Sequence, residues 1–174
     1  MTRNAIAPTV LAALLLLTAC GGAPSPQDPG GPSQPTDPQC RETVMSDITV
    51  PVLLSNGPEE CDYYFPGGDV ATYRVNSDLL IEAGTVLRFG INAILYVDSA
   101  GSITAVGEPG ARIVFEGEKA VDGYWHGLCF VENRESRLEY VDVRWAGKAW
   151  TTVGNSCRGA IAGAYPGGET VHIR

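Results

Sequence analysis

Three sets of side chains could do chemistry. Carboxylates gather at Glu116, Glu118, Glu132, Glu135, Glu139 and Asp142, and such a gathering can hold Ca²⁺ through several oxygens or act as a pair at a glycosidic bond. Here Glu116 and Glu118 stand beside Lys119, and the others alternate with Arg134, Arg137 and Arg144, the pattern of a solvated charged face. Thiols are the second set. Cys20, Cys40, Cys61, Cys129 and Cys157 contain no C-x-x-C, and only His126 and His172 could complete a zinc site or serve a nucleophile. Those histidines lie far apart, with no carboxylate spaced for a relay, and read as structural. No catalytic residue, metal or cofactor is therefore expected. The third set is aromatic: Trp145 and Trp150 flank Gly147 in a segment expected to loop out, which makes them the candidates for an exposed surface that contacts glycan.

The 174 residues of the whole chain carry 20 acids and 12 bases, a net charge of -8, which disfavours a binder of nucleic acid. With 44% of its residues apolar, the chain can build a core. At the N-terminus Arg3 precedes an apolar run at 6–17, whose 12 residues fall short of the roughly 20 that cross a bilayer and match a signal-peptide core. Leu17-Thr18-Ala19-Cys20-Gly21 then resembles the lipobox of bacterial lipoproteins. The resemblance implies cleavage before Cys20, acylation of its thiol, and membrane anchoring at ~0.8 kcal/mol per buried methylene. Gly21 in place of Asp resembles the lipoproteins sent to an outer membrane. Residues 21–39 hold six prolines and four glycines, a tether that reaches at most about 60 Å as polyproline II.

An exported chain keeps four further cysteines, and an even number in an oxidising space favours disulfides. Three pairings are open. Cys40 with Cys61 and Cys129 with Cys157 is preferred because both closed segments are locally irregular; their 20 and 27 intervening residues make each bridge worth ~3 kcal/mol on the chain-entropy estimate.

Beyond the tether the chain repeats. Leu79/Ile81, Leu87/Phe89, Leu95/Val97 and Ile103/Ala105 follow one another at steps of eight residues. Spacing of two inside each pair puts both side chains on one face of a short strand, and Ala83-Gly84-Thr85, Gly90-Ile91-Asn92 and Ala100-Gly101-Ser102 between them are turn residues. Less regular pairs continue at Ile113/Phe115, Leu128/Phe130, Val141/Val143 and Val171/Ile173. Three such steps make a unit of about 24 residues, within the solenoid range, whereas hairpin folds have no reason to hold a constant step. Parallel strands are therefore expected, with an antiparallel β-sandwich as the alternative.

The run Gly84-Thr85-Val86-Leu87-Arg88-Phe89-Gly90, Asn92-Ala93, Gly101-Ser102-Ile103-Thr104-Ala105-Val106-Gly107, Ile113-Val114-Phe115, Gly123-Tyr124-Trp125-His126-Gly127-Leu128 and Leu138-Glu139-Tyr140-Val141 resembles the opening coils of right-handed parallel β-helix repeat proteins of bacterial surfaces. The resemblance covers roughly 72–147. It implies an all-β exported domain of about three to four coils, and a Trp125 that packs over the end of a coil. The expected organisation is a signal peptide at 1–19, a lipidated linker at 20–39, an N-terminal cap segment at 40–78 and the β-helix domain at 79–174.

The function expected is a non-catalytic, lipid-anchored envelope scaffold, or a glycan or adhesion module, that meets a polysaccharide or a surface protein. The alternative is a polysaccharide lyase or hydrolase of β-helix type, or a remnant of one. Residues 169–174 read as a last strand with Val171 and Ile173 inward and no polar cap, so a shortened version of a longer protein is expected, or else an end covered by another copy or a partner through strand addition, and with it self-association through that C-terminal coil.

Overall fold

The computed structural model describes residues 40–69, 71–131, 134–152, 155–163 and 171–173, with 150–152, 155–156 and 171–173 described by their backbone alone. All lie within one unit, Thr36–Arg174. Among the described residues there is no helix.

The strands form three parallel sheets. The first contains β1 (Glu42–Thr43), β3 (Tyr63–Phe65), β6 (Val86–Phe89), β9 (Ile113–Gly117) and β12 (Val141–Arg144). The second contains β4 (Ala71–Val75), β7 (Ala93–Val97), β10 (Gly127–Phe130) and β15 (Ile161–Gly163); the third contains β2 (Val52–Leu54), β5 (Asp78–Ile81), β8 (Ser102–Val106), β11 (Ser136–Glu139) and β16 (Val171–Ile173). From β3 onward the chain visits first, second and third sheet in rotation. An earlier circuit runs from β1 through a bridge of Ile48 to Val75, then to β2. The one antiparallel strand pair among the described residues is a hairpin outside the three sheets, β13 (Trp150–Thr152) with β14 (Asn155–Cys157). The antiparallel sandwich finds no support in this pairing.

Alternation positions the core. The four expected pairs lie on β5, β6, β7 and β8, and each of their eight side chains is buried. Register stacks them in columns: Tyr63, Leu87, Phe115 and Val143 on the first sheet, and Leu54, Ile81, Ala105 and Leu138 on the third. These columns begin before Leu79, because β1 to β4 already pair into the sheets. Residues 40–62 hid this by having prolines, acids and a cysteine where the apolar step should fall.

An aromatic stack fills the corner between first and second sheets. Phe65 and Phe89 stack at 4.7 Å. The next position in that column is Gly117, and Trp125 covers it, with its ring 4.0 Å from Phe89 at 3°. A Cβ on Gly117 would lie 3.2 Å from the Trp125 ring. The indole is fully buried, and its Nε1 donates to the Arg144 carbonyl at 2.9 Å, so the polar handle of a buried tryptophan is met. Trp125 thus packs within the circuits.

Both disulfides join the preferred pairs. Cys40–Cys61 holds the start of β1 against the chain leading into β3, with Cα atoms 4.6 Å apart, and Cys129–Cys157 fastens the hairpin to β10, with Cα atoms 5.8 Å apart. Two bridges of this kind fit an oxidising, exported environment.

Candidate functional site

The outer face of the first sheet carries the carboxylates singled out by sequence. Residues pointing away from the core align as Tyr64, Arg88, Glu116 and Arg144 on successive strands. Glu116 accepts from Arg88 at 2.8 Å and lies 3.8 Å from Arg144. Asp142 accepts from Arg144 and Arg112, each at 2.8 Å. The hydrogen bond from Arg144, joined by that from Arg112 against the opposing effect of partial burial, holds the Asp142 carboxyl below its ordinary value. Glu118 accepts from the hydroxyls of Tyr64 at 3.1 Å and Tyr124 at 3.4 Å. Burial first, then the charge of Glu118, raises the Tyr124 hydroxyl. On the third sheet Glu139 accepts from Arg137 at 2.9 Å. Glu132 falls outside the described residues. Every carboxylate of the group with a described contact is engaged by a guanidinium or a phenol. Alternating charges of this kind make a ladder, in which each exposed pair contributes about 0–1 kcal/mol. No group of three His, Cys, Asp or Glu among the described residues is placed to hold a metal ion.

The aromatic candidates sit at the turn between first and second sheets. Trp145 is half-buried with a left-handed backbone, φ 58°, and its carbonyl accepts from the Tyr124 backbone at 2.9 Å. Beside it His126 Nδ1 meets the Lys148 carbonyl at 2.8 Å. A carbonyl only accepts, so Nδ1 carries the proton and the neutral ring presents Nε2 as an acceptor. Burial, the largest influence, lowers the His126 pKa, and the charge of Lys148 adds to it. The Lys148 ammonium reaches the side-chain oxygen of Asn92, whose Nδ2 donates to the Gly68 carbonyl at 3.0 Å. An amide, an ammonium and a neutral imidazole thus share one corner, which the backbone of Trp145 borders. This set offers hydrogen-bond donors and acceptors within a single corner. Trp150 opens the hairpin, its backbone paired with Cys157; its side chain and that of His172 lie outside the described residues, as does Cys20.

Two features gave no signal in the sequence. Asp62 is fully buried, and its carboxylate accepts from the backbone of Gly57 at 2.7 Å and Val86 at 2.9 Å, with Arg41 at 3.8 Å. It ties the first turn to β6 through bonds that no spacing rule foretells. The second is an open cavity of about 480 Å³ at the N-terminal end of the sheets, lined by the first circuit and Phe65. No family model matches this chain, and no curated protein or solved structure shows significant similarity to it.

Proposed function

We propose that the protein is a lipoprotein of the bacterial envelope whose folded part is a right-handed parallel β-helix serving as a non-catalytic scaffold or glycan-contacting module. The observation that carries this reading is the rotation of the chain through three parallel sheets, directly after a tether that follows Leu17-Thr18-Ala19-Cys20. A stiff stack of strands on a proline-rich leash holds a surface away from lipid headgroups without needing a reaction centre. The carboxylates are consistent with this role, since arginines engage Glu116, Glu139 and Asp142. The corner of Trp145, His126 and Lys148 is the glycan-contacting surface in this reading, with Trp150 on the adjoining hairpin.

The anchor is tested by labelling with palmitate: wild type takes up the label and Cys20→Ser does not, and a free amino terminus at any other residue would refute it. Binding is tested by incubating the exported chain with polygalacturonate, alginate and peptidoglycan, with and without Ca²⁺. Retention without cleavage, reduced about fivefold or more in Trp145→Ala for stacking worth about 1–3 kcal/mol, is the expected result. Shortened products would instead identify a lyase or hydrolase.

A further inference from the structure

The N-terminal end of the sheets has a chemistry of its own. Its cavity has an apolar base of Val44, Ile48, Val52, Leu54 and Phe65, and Glu42 and Asp47 line it as well. Two apolar side chains at this end stand in solvent, Met45 at 76% and Val50 at 62% exposure. Glu42 is the unexpected member. Register pairs it with Tyr63, which pairs with Leu87, so it occupies an inward column that is otherwise apolar, and none of the described side chains pairs with its carboxylate. The surroundings share its sign: residues 40–69 contain six acids and a single base, Arg41. That base is already committed to Asp62, the Tyr63 hydroxyl and Ser55.

These features select an occupant. Strand addition is opposed by a β1 of two residues, by Pro51 immediately before β2, and by the inward charge, which are devices that keep sheet edges from pairing. Two such ends brought together would oppose Glu42 and Asp47 with their own copies. An anionic membrane surface meets the same repulsion. An apolar hollow rimmed by carboxylates instead complements aliphatic side chains that carry or flank a cation, as lysine and arginine do along their stems. We propose that this open end is a docking site for a basic, aliphatic segment of a partner polypeptide, which fills the cavity with its apolar side chains and sets a lysine or arginine against Glu42 and Asp47. The proposal stands independently of the lipid anchor and of the glycan corner.

The test uses the full chain as the cell exports it and an immobilised hexapeptide Leu-Lys-Leu-Val-Lys-Leu, with glutamate and glutamine versions as comparators. Biolayer interferometry should show binding of the basic peptide alone, weakened by added salt. The double variant Glu42→Gln/Asp47→Asn should weaken it about tenfold, from two partly screened charge pairs. Asn at position 47 keeps an oxygen for the Arg74 backbone N–H that Asp47 now accepts at 2.8 Å, and an unchanged melting temperature verifies the fold. Hydrogen exchange should slow at 42–54 on binding. Equal binding of the glutamine peptide, protection elsewhere, or an undiminished affinity in the double variant would overturn the proposal. So would self-association of the wild-type chain that the double variant abolishes, or protection of 42–54 by phosphatidylglycerol vesicles.

Discussion

The circuit that runs from β6 to β8 and the one that runs from β9 to β11 share inward columns but differ in what lies between their strands. In the earlier one, Leu87 follows its partner Tyr63 by 24 residues and Ile103 follows Leu79 by 24. In the later one, Phe115 follows Leu87 by 28 and Arg137 follows Thr104 by 33. The added residues leave the sheets at the turn between β8 and β9, at the turn before β10, and then in the hairpin of β13 and β14, while the step from β10 to β11 stays at that from β7 to β8. The difference teaches that the sheets tolerate insertions at corners, because loop closure costs little per added residue, while a column position admits no such freedom. Tyr124 and His126 lie in those insertions and Lys148 just before the hairpin, the places where a scaffold of paired strands leaves side chains free to vary.

The sharpest way to break the comparison is to cut a column of the regular part. Phe89→Ala removes a ring held between Phe65 and Trp125 and should cost about 3–5 kcal/mol, whereas Ile161→Ala, half-buried on β15, should cost about 1 kcal/mol. Urea unfolding followed by circular dichroism measures both, and equal losses would erase the distinction. Removing the staple of the irregular part comes next. Cys129→Ala with Cys157→Ala should lower stability by ~3 kcal/mol, with hydrogen-exchange protection lost at 155–163 and kept at 63–106; uniform loss would mean that the hairpin is not a separate unit.

The smallest effect concerns pH. The His126 pKa lies below its ordinary 6.5 in the folded chain, so the unfolded chain takes up the proton first as pH falls. Stability from this group is whole above about pH 6.5 and declines as acid carries the protein through the lower, folded value. Asp142, held below its ordinary 3.8, adds a further decline in stronger acid. Melting temperatures should fall slightly between pH 7 and 5 in wild type and less in His126→Gln, and equal slopes in the two would show that this corner does not carry the effect.

Legibility in the sequence followed the same division. Leu79/Ile81 through Ile103/Ala105 announced their strands because tight turns kept the step constant. Glu42, Val52 and Tyr63 belong to the same columns and went unread, since no apolar pair recurs at eight residues around them. The charged face was readable from Arg134, Arg137 and Arg144 between the acids. The corner of Asn92, His126 and Lys148 was not, because its members come from three separate turns.

What the sequence determined by itself are properties of neighbours along the chain: which side chain of a strand faces inward, and which residues turn. Alternation needs only local backbone geometry, and the preferred cysteine pairs needed only an oxidising space and short loops. The tertiary structure alone decided that Trp125 fills the place left by Gly117, that Asp62 is buried and satisfied, and that a carboxylate stands at the open end of an apolar column. Those outcomes depend on parallel pairing between residues 21 to 35 positions apart, and a contact at that distance exists only once the intervening chain has closed around the core.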